Sequence, residues 1–417
     1  MSRTGRMRIL WVKGGKLIPV DTGGKIRSYN LLRQLARRHE VTLLSYYDGP
    51  KDSSYESEIV CHFSRAVAVP SGRADSSAID YLKHLFSHAP YAVTKFTSAR
   101  ATALIREWMA ERRFDVAVCD FLSASLNFPE ELSLPTVLFQ HNVESVLWRR
   151  QADYEPNPIK RMAFKLEAAK MIRYEQRAVN RFDHVIAVSE NDRENMARMT
   201  EKSRISIVPT GVDLEAYRRQ PGGDANEPVV VFTGSMDWEA NIDGVEYFCA
   251  EIWPRVLRAV PGARFRIVGR NPHPRILSLA SDSIEVTGTV PSVIDYMRDA
   301  AAFAVPLRIG GGTRLKIYEA MAMGKAVVST SVGAEGLDVE DGRDILLADT
   351  AFAFAESVIK LLCDRQARKQ IEAAAARLAA RFDWSVIADR FEEVLKETIR
   401  LSNKSSVSQT AAAMVSA

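Results

Sequence analysis

The stretch Gly310-Gly311-Gly312-Thr313-Arg314-Leu315-Lys316-Ile317-Tyr318-Glu319 places three glycines, two cations and a carboxylate side by side. Glycine lacks Cβ, so a backbone built from it can take φ > 0 and approach a ligand closely, and the N–H groups that open a following helix favour an anion. Arg314 and Lys316 add full positive charge. Glu319 offers two acceptor oxygens, which suits a vicinal diol such as a ribose. Together these residues describe a site for a nucleoside diphosphate. They also read as an ordinary glycine loop carrying an exposed i,i+3 pair between Lys316 and Glu319, worth a few tenths of a kcal/mol. The elements around them have to decide.

Upstream, Ala302-Phe303-Ala304-Val305-Pro306-Leu307 is a short apolar run that predicts a buried strand, and downstream Ala320-Met321-Ala322-Met323 continues a helix that Gly324 closes. The same alternation fills the chain. Runs at 8–12, 41–45, 115–119, 136–139, 184–188 and 205–208 read as strands between amphipathic segments, the first of them a helix from about Ile26 to His39. A turn-rich segment at 221–228 breaks the pattern, and runs at 229–232, 264–268, 284–286, 303–305, 326–329 and 345–347 then restart it. Continuous apolar runs of this length are what strands buried on both faces look like, so each half predicts a parallel sheet covered by helices. The expected organisation is α/β: a Rossmann-like doubly wound domain over 1–220, a linker at 221–228 and a second such domain over 229–383. A long alanine-rich helix at about 351–380 comes near the end of the second. The segment 384–401 is an amphipathic helix that could cross back to the first domain, and 402–417 reads as a disordered tail. Ligands of open parallel sheets bind beyond the carboxyl ends of the strands, so two such domains facing one another would place a cleft between them. Neither half carries G-x-G-x-x-G after its first strand, which disfavours a nicotinamide enzyme.

The chain has 417 residues, 47% of them hydrophobic and 26% charged, with a net charge of +4. That length suits two domains, and the small charge excess does not argue for a nucleic-acid partner. Cys61, Cys119, Cys249 and Cys363 are far apart and form no C-x-x-C, so they read as reduced. No apolar run reaches the ~18 residues of a membrane span, and the expected location is the cytoplasm, with peripheral membrane contact as an addition. No zinc signature, nucleophile elbow or metal-holding D-x-D pair stands out.

With that architecture, several motifs fall into an order that resembles glycosyltransferase family 4, retaining enzymes of the GT-B fold that use nucleotide-sugar donors. They are Thr22-Gly23-Gly24, Gln140-His141-Asn142, Val188-Ser189-Glu190, Pro209-Thr210-Gly211-Val212-Asp213, Phe232-Thr233-Gly234, Ile267-Val268-Gly269 and Glu319-Ala320-Met321-Ala322-Met323-Gly324. The resemblance covers nearly the whole chain. It implies a donor site built from Gly23, Gly24, Gly234, Ser235, Gly269, Gly310, Gly311, Gly312, Thr313, Arg314, Lys316 and Glu319, with His141 facing the donor sugar and no metal or other cofactor. Two departures accompany it. Glu319 matches the second of the family's two glutamates, whereas the place of the first carries Gly311. Where the family has an arginine after the first strand of the second domain and a lysine before the next helix, this chain has Ser235 and, approximately, Asp243. Arg314 and Lys316 are the nearest replacements by charge.

His141 follows an apolar run and so falls at a strand's carboxyl end, where catalytic groups of open sheets sit, although a lone histidine is also an ordinary structural hydrogen-bonder. Asn142 and Glu144 are weaker candidates, and Asn142 could simply cap the helix after it. The loop of Gly23 and Gly24 would approach the diphosphate, with Arg27 in reach, although a solvated face is the ordinary fate of Lys25 and Arg27. Asp21 could cap that helix or touch an acceptor. Between 158 and 183 a basic amphipathic helix could dock on anionic lipid or simply show a charged outer face. The reading is transfer of a hexose from a nucleoside diphosphate sugar to a glycan, lipid-linked or small-molecule acceptor, in exopolysaccharide or other bacterial envelope glycan synthesis. Its rivals are a nucleotide-sugar 2-epimerase and a non-catalytic nucleotide-sugar-binding or scaffold protein.

Overall fold

The computed structural model describes residues 5–71, 84, 87–111, 113–219, 227–309 and 314–415, with side chains as far as Asn403. Gly310, Gly311, Gly312 and Thr313 lie outside these residues, as does most of the expected linker. The chain divides into two units, Met1–Pro209 with Ile387–Ala417, and Thr210–Val386.

In the first unit, β1 (Arg8–Gly14), β2 (Glu40–Tyr47), β3 (Ala66–Pro70), β4 (Val116–Asp120), β5 (Thr136–Phe139), β6 (His184–Ala187) and β7 (Ile205–Ile207) form a sheet of order β3-β2-β1-β4-β5-β6-β7. All its pairs are parallel. Helices cover both faces because alternate side chains of these apolar strands need burial on each. Leu10, Val12, Ala117, Cys119 and Leu138 pack with Ile105, Met109, Val179 and Phe182 on one side. On the other, Trp11 stacks on Phe391 at 5.4 Å between ring centroids and Phe139 meets Phe391 edge-on at 5.2 Å. Strand β3 has no counterpart in the sequence reading. It is a short edge strand ending in proline, and an edge tolerates the missing N–H.

In the second unit, β8 (Val229–Thr233), β9 (Arg264–Val268), β10 (Ile284–Gly288), β11 (Ala302–Val305), β12 (Ala326–Ser329) and β13 (Leu346–Leu347) form a parallel sheet of order β10-β9-β8-β11-β12-β13. In both sheets the strand order reverses beside the first strand, between β1 and β4 and between β8 and β11. Such reversals open the crevices in which doubly wound folds hold ligands.

Three boundaries differ from expectation. The first unit ends at Pro209 and not at 220. The segment after it is held in the second unit by the Val212 N–H, which donates to the Phe382 carbonyl at 2.8 Å, and by Gly211, where a Cβ would come within 2.6 Å of the Trp384 ring. The alanine-rich stretch is two helices, Ala351–Cys363 and Arg365–Ala379. Asp364 leaves helical geometry between them, and its carboxylate accepts the Ala367 N–H at 2.9 Å as the N-cap of the second. Residues 402–415 of the expected disordered tail are instead part of one helix, Trp384–Val415, a run with no proline or glycine to stop it, and 416–417 lie outside the described residues.

Candidate functional site

In the second unit the sequence candidates gather at the carboxyl end of β8. The helix Leu315–Ala322 begins just after Arg314 and sends Lys316 back toward that strand. Its ammonium donates to the Thr233 carbonyl at 2.6 Å and to Asn241 Oδ1 at 3.2 Å, and lies 4.1 Å from the centroid of the Phe232 ring. Asn241 in turn donates to the Ser235 carbonyl at 2.8 Å, tying the loop after β8 to the same point. Burial, reinforced by the nearby charge of Arg314, pushes the Lys316 ammonium down to about 7, against a smaller opposing pull from Glu319. The site therefore holds a lysine that would gain from an anion beside it.

The glycines here serve this packing. A Cβ on Gly234 would lie 2.7 Å from Asn241 Nδ2 and 3.0 Å from Lys316 Nζ. One on Gly269 would lie 1.7 Å from the Gly234 carbonyl oxygen, a backbone atom that cannot swing aside. Ser235 donates to Asp237 Oδ1 at 2.5 Å and accepts from Arg270 Nε at 3.2 Å. Arg270 adds a cation that sequence reasoning missed, although it directly follows the Ile267-Val268-Gly269 motif. Arg314 is buried, its guanidinium 5.0 Å from the Trp238 ring centroid. Asp243, which occupies the approximate place of the family's lysine, is paired with Arg308 through Nε at 3.1 Å and Nη2 at 2.5 Å. Glu319 lies a turn beyond Lys316 and accepts the Tyr217 hydroxyl. Burial raises both groups, and the Tyr217 bond opposes the shift at Glu319. Sequence reasoning missed Tyr217, which lies four residues beyond the Pro209-to-Asp213 motif.

In the first unit His141 belongs to a buried network at the β1/β4 reversal. Lys13, next to the last residue of β1, and Asp120, the last of β4, are register partners, with Nζ and Oδ2 3.4 Å apart. Asp120 also accepts from Trp11 Nε1 at 3.0 Å, and its Oδ1 is 2.7 Å from His141 Nε2. Arg27 Nη1 lies 3.0 Å from His141 Nδ1. A guanidinium can only donate, so Nδ1 is the acceptor and Nε2 carries the proton to Asp120. Phe121, in the left-handed region at φ 74°, stacks on the imidazole at 3.7 Å and 7°. Its ring is also the reason position 24 is glycine, since a Cβ there would sit 2.4 Å from it. Burial drives the His141 imidazole down to about 3 against the pull of Asp120, and the adjacent Lys13 and His141 hold the Asp120 carboxyl far below its ordinary range despite burial.

Arg27, expected on a solvated face, is buried in this network. Asp21 does not cap its helix; it accepts from Lys25 at 2.9 Å, and Thr22 is the N-cap residue. Nor does Asn142 cap the helix Glu144–Tyr154. Its first N–H groups, on Glu144 and Ser145, donate to the buried Glu175 carboxylate at 2.8 and 3.0 Å. Sequence reasoning missed Lys13, Asp120 and Phe121; the available signal was a charged residue closing each of two apolar runs.

The model of Glycosyltransferase Family 4 matches residues 22–216, and that of Glycosyl transferases group 1 matches residues 227–364. A 44.6 kDa protein in the cps region of Klebsiella pneumoniae is 22% identical over 369 residues, covering 85% of this chain and 90% of that protein. A phosphatidyl-myo-inositol mannosyltransferase of Mycolicibacterium smegmatis is 25% identical over 300 residues, covering 70% of this chain and 73% of that protein. Among solved structures, Anabaena Alr3699/HepE in complex with UDP and glucose superposes with a TM-score of 0.66 at 15% identity, covering 94% of this chain and 100% of that one. Sucrose-phosphate synthase from Thermosynechococcus elongatus gives 0.68 at 16% identity, covering 95% and 100%.

Proposed function

Since this chain is a glycosyltransferase of the family 4 type with the GT-B fold, we propose that it moves a hexose from a nucleoside diphosphate sugar to a hydroxyl acceptor with retention at the anomeric carbon, without a metal. The observation that carries the reading is the Lys316 ammonium at the carboxyl end of β8, held by the Thr233 carbonyl and Asn241. Negative charge builds on the leaving diphosphate as the glycosidic bond breaks, and cations fixed in advance stabilise that charge without reorganising. Lys316 and Arg314 supply such cations in the second unit. Glu319, with Tyr217 on one oxygen, keeps acceptor capacity for a ribose hydroxyl. The leaving phosphate itself would receive the acceptor's proton.

His141 is assigned a positioning part. Both its ring nitrogens are engaged, so it would act by fixing Arg27 and Asp120 at the end of β4 and not by a ring nitrogen on the sugar. Gly23 opens the helix that carries Arg27, and Gly24 admits Phe121 against the imidazole. Relatives in a cps region and among phosphatidyl-myo-inositol mannosyltransferases support an envelope glycan or glycolipid as the product class, and neighbours holding UDP and UDP-glucose support a uridine donor.

The test is a thermal-shift screen against nucleoside diphosphates and their sugars, with and without magnesium. A ligand at a hundredfold excess over its Kd stabilises the folded state by about 2.7 kcal/mol. The expected result is a metal-independent shift with one diphosphate, lost in Glu319→Ala and Lys316→Met, followed by turnover whose product keeps the donor's anomeric configuration by NMR. An inverted product, or a shift that needs magnesium, would overturn the corresponding part of the reading.

A further inference from the structure

The helix Pro158–Arg181 of the first unit is buried along one side, through Ala168, Met171, Ala178 and Val179. Along the other side runs a row at steps of three and four residues, the spacing that keeps side chains on one helical face. Its first half is apolar and in water: Ile159 is 81% exposed, Met162 68% and Leu166 41%. Its second half is cationic, through Lys170, Arg173, Arg177 and Arg181. Lys160, Arg161 and Lys165 flank the apolar half and are exposed.

The charge of Arg173 and Arg177 is not spent inside the protein. Arg173 and Arg177 are exposed and form no hydrogen bond or ion pair with any described residue. Lys170 lies 3.2 Å from Glu167, and Arg181 reaches the Ser125 carbonyl. The basic half forms one wall of a cavity of about 540 Å³ whose other side is Ser87, His88, Ala89 and Leu126. The acid on this cavity, Glu130, is exposed, and its carboxylate lies 4.0 Å from Arg181 and not from Arg173 or Arg177.

We propose that this row is a docking surface for an anionic lipid bilayer. The helix lies in the plane of the interface, with Ile159, Met162 and Leu166 at the acyl boundary and the exposed cations Arg173 and Arg177, flanked by Lys160, Arg161 and Lys165, against headgroup phosphates. A purely solvated outer face would not keep three large apolar side chains in register, whereas an interfacial helix needs such a stripe beside its cations. A second copy packed on this face would set like charges against one another. A nucleic acid would satisfy the cations and leave the apolar half in water. Only an anionic surface with a hydrocarbon interior matches both halves. The inference rests on this unit alone and does not depend on the donor reading.

The experiment is co-sedimentation of the full-length protein with vesicles of phosphatidylcholine alone and of phosphatidylcholine mixed with phosphatidylglycerol. Wild type is expected to pellet with the mixed vesicles, to be released by salt, and to stay in solution with the neutral ones. Each cation near an anionic surface contributes about a fivefold factor, so Arg173→Gln with Arg177→Gln should lower partitioning roughly thirtyfold. Ile159→Ser with Met162→Ser should also release the protein, and both pairs should keep the wild-type melting temperature because the side chains are exposed. Equal binding to neutral vesicles, no binding at all, or an apolar variant that pellets like wild type would overturn the proposal, the last by reducing the row to a plain anion site.

Discussion

Both ring nitrogens of His141 are used inside the protein, which is the kind of fact no sequence displays. The position of His141 after an apolar run was legible, because a strand's end follows from the run's length. Its partners were not, since Lys13, Arg27 and Asp120 come from three other places in the chain and meet only once the sheet is ordered. Lys316 shows the converse. Its charge beside a glycine run was visible, and so was its candidacy as the nearest replacement for a missing cation, but its path back to the Thr233 carbonyl depends on Asn241 and on a bare Gly234. That burial has a measurable consequence. The ammonium sits at about 7 in the folded chain against its ordinary 10.5. Between those values the unfolded chain binds a proton that the folded chain refuses, so stability through this group rises with pH across the interval and falls as pH drops through it. Lys316→Met, which cannot titrate, should therefore gain melting temperature relative to wild type as pH is lowered from about 10 to about 7. A difference between the two proteins that stays constant over that range would show that Lys316 is not desolvated.

At the scale of elements, the long apolar runs gave their strands away and the short or broken elements did not. Strands buried on both faces leave a continuous pattern, whereas β3 is a few residues ending in proline and is recognisable only by pairing with β2. The alanine-rich region misled because helix propensity favours one long helix; Asp364 divides it through a side-chain cap, a local competition that composition cannot weigh. Glycine loops were legible as loops, yet each glycine answers to a different neighbour. Gly269 is the clearest, because its missing Cβ makes room for a backbone oxygen of the loop after β8. Gly269→Ala must displace Gly234 and with it the seat of Lys316. Overpacking of this kind costs typically 1–3 kcal/mol, so a melting temperature lower by about 2–10 °C and a much reduced diphosphate shift are expected. Full retention of the ligand-induced shift in Gly269→Ala would separate the β9 loop from the donor site.

At the scale of the whole molecule, the first unit is discontinuous in sequence. It closes only when Ile387 and the residues after it return to it, so its core contains side chains nearly the full chain length away from β1. Phe391 is fully buried between Trp11 and Phe139, and Arg38 of the helix Gly23–Ala36 region is paired with Asp389 at 2.5 Å and with Glu392 at 3.0 Å. The amphipathic pattern from Trp384 onward was readable, but the face it covers was not, because both sheets of the protein offer similar apolar faces. The buried aromatic contact is what sets the energy here, since Arg38 and Asp389 are exposed and that pair contributes little. Phe391→Ala removes a fully buried ring and should cost about 3–5 kcal/mol. The loss falls on the first unit alone. A chain ending at Val386, the last residue of the second unit, should accordingly bind a hydrophobic dye through the uncovered Trp11 and Phe139 while the second unit keeps its nucleoside diphosphate shift. If Phe391→Ala melted like wild type, the final helix would be an appendage and the fragment Met1–Pro209 would fold without it.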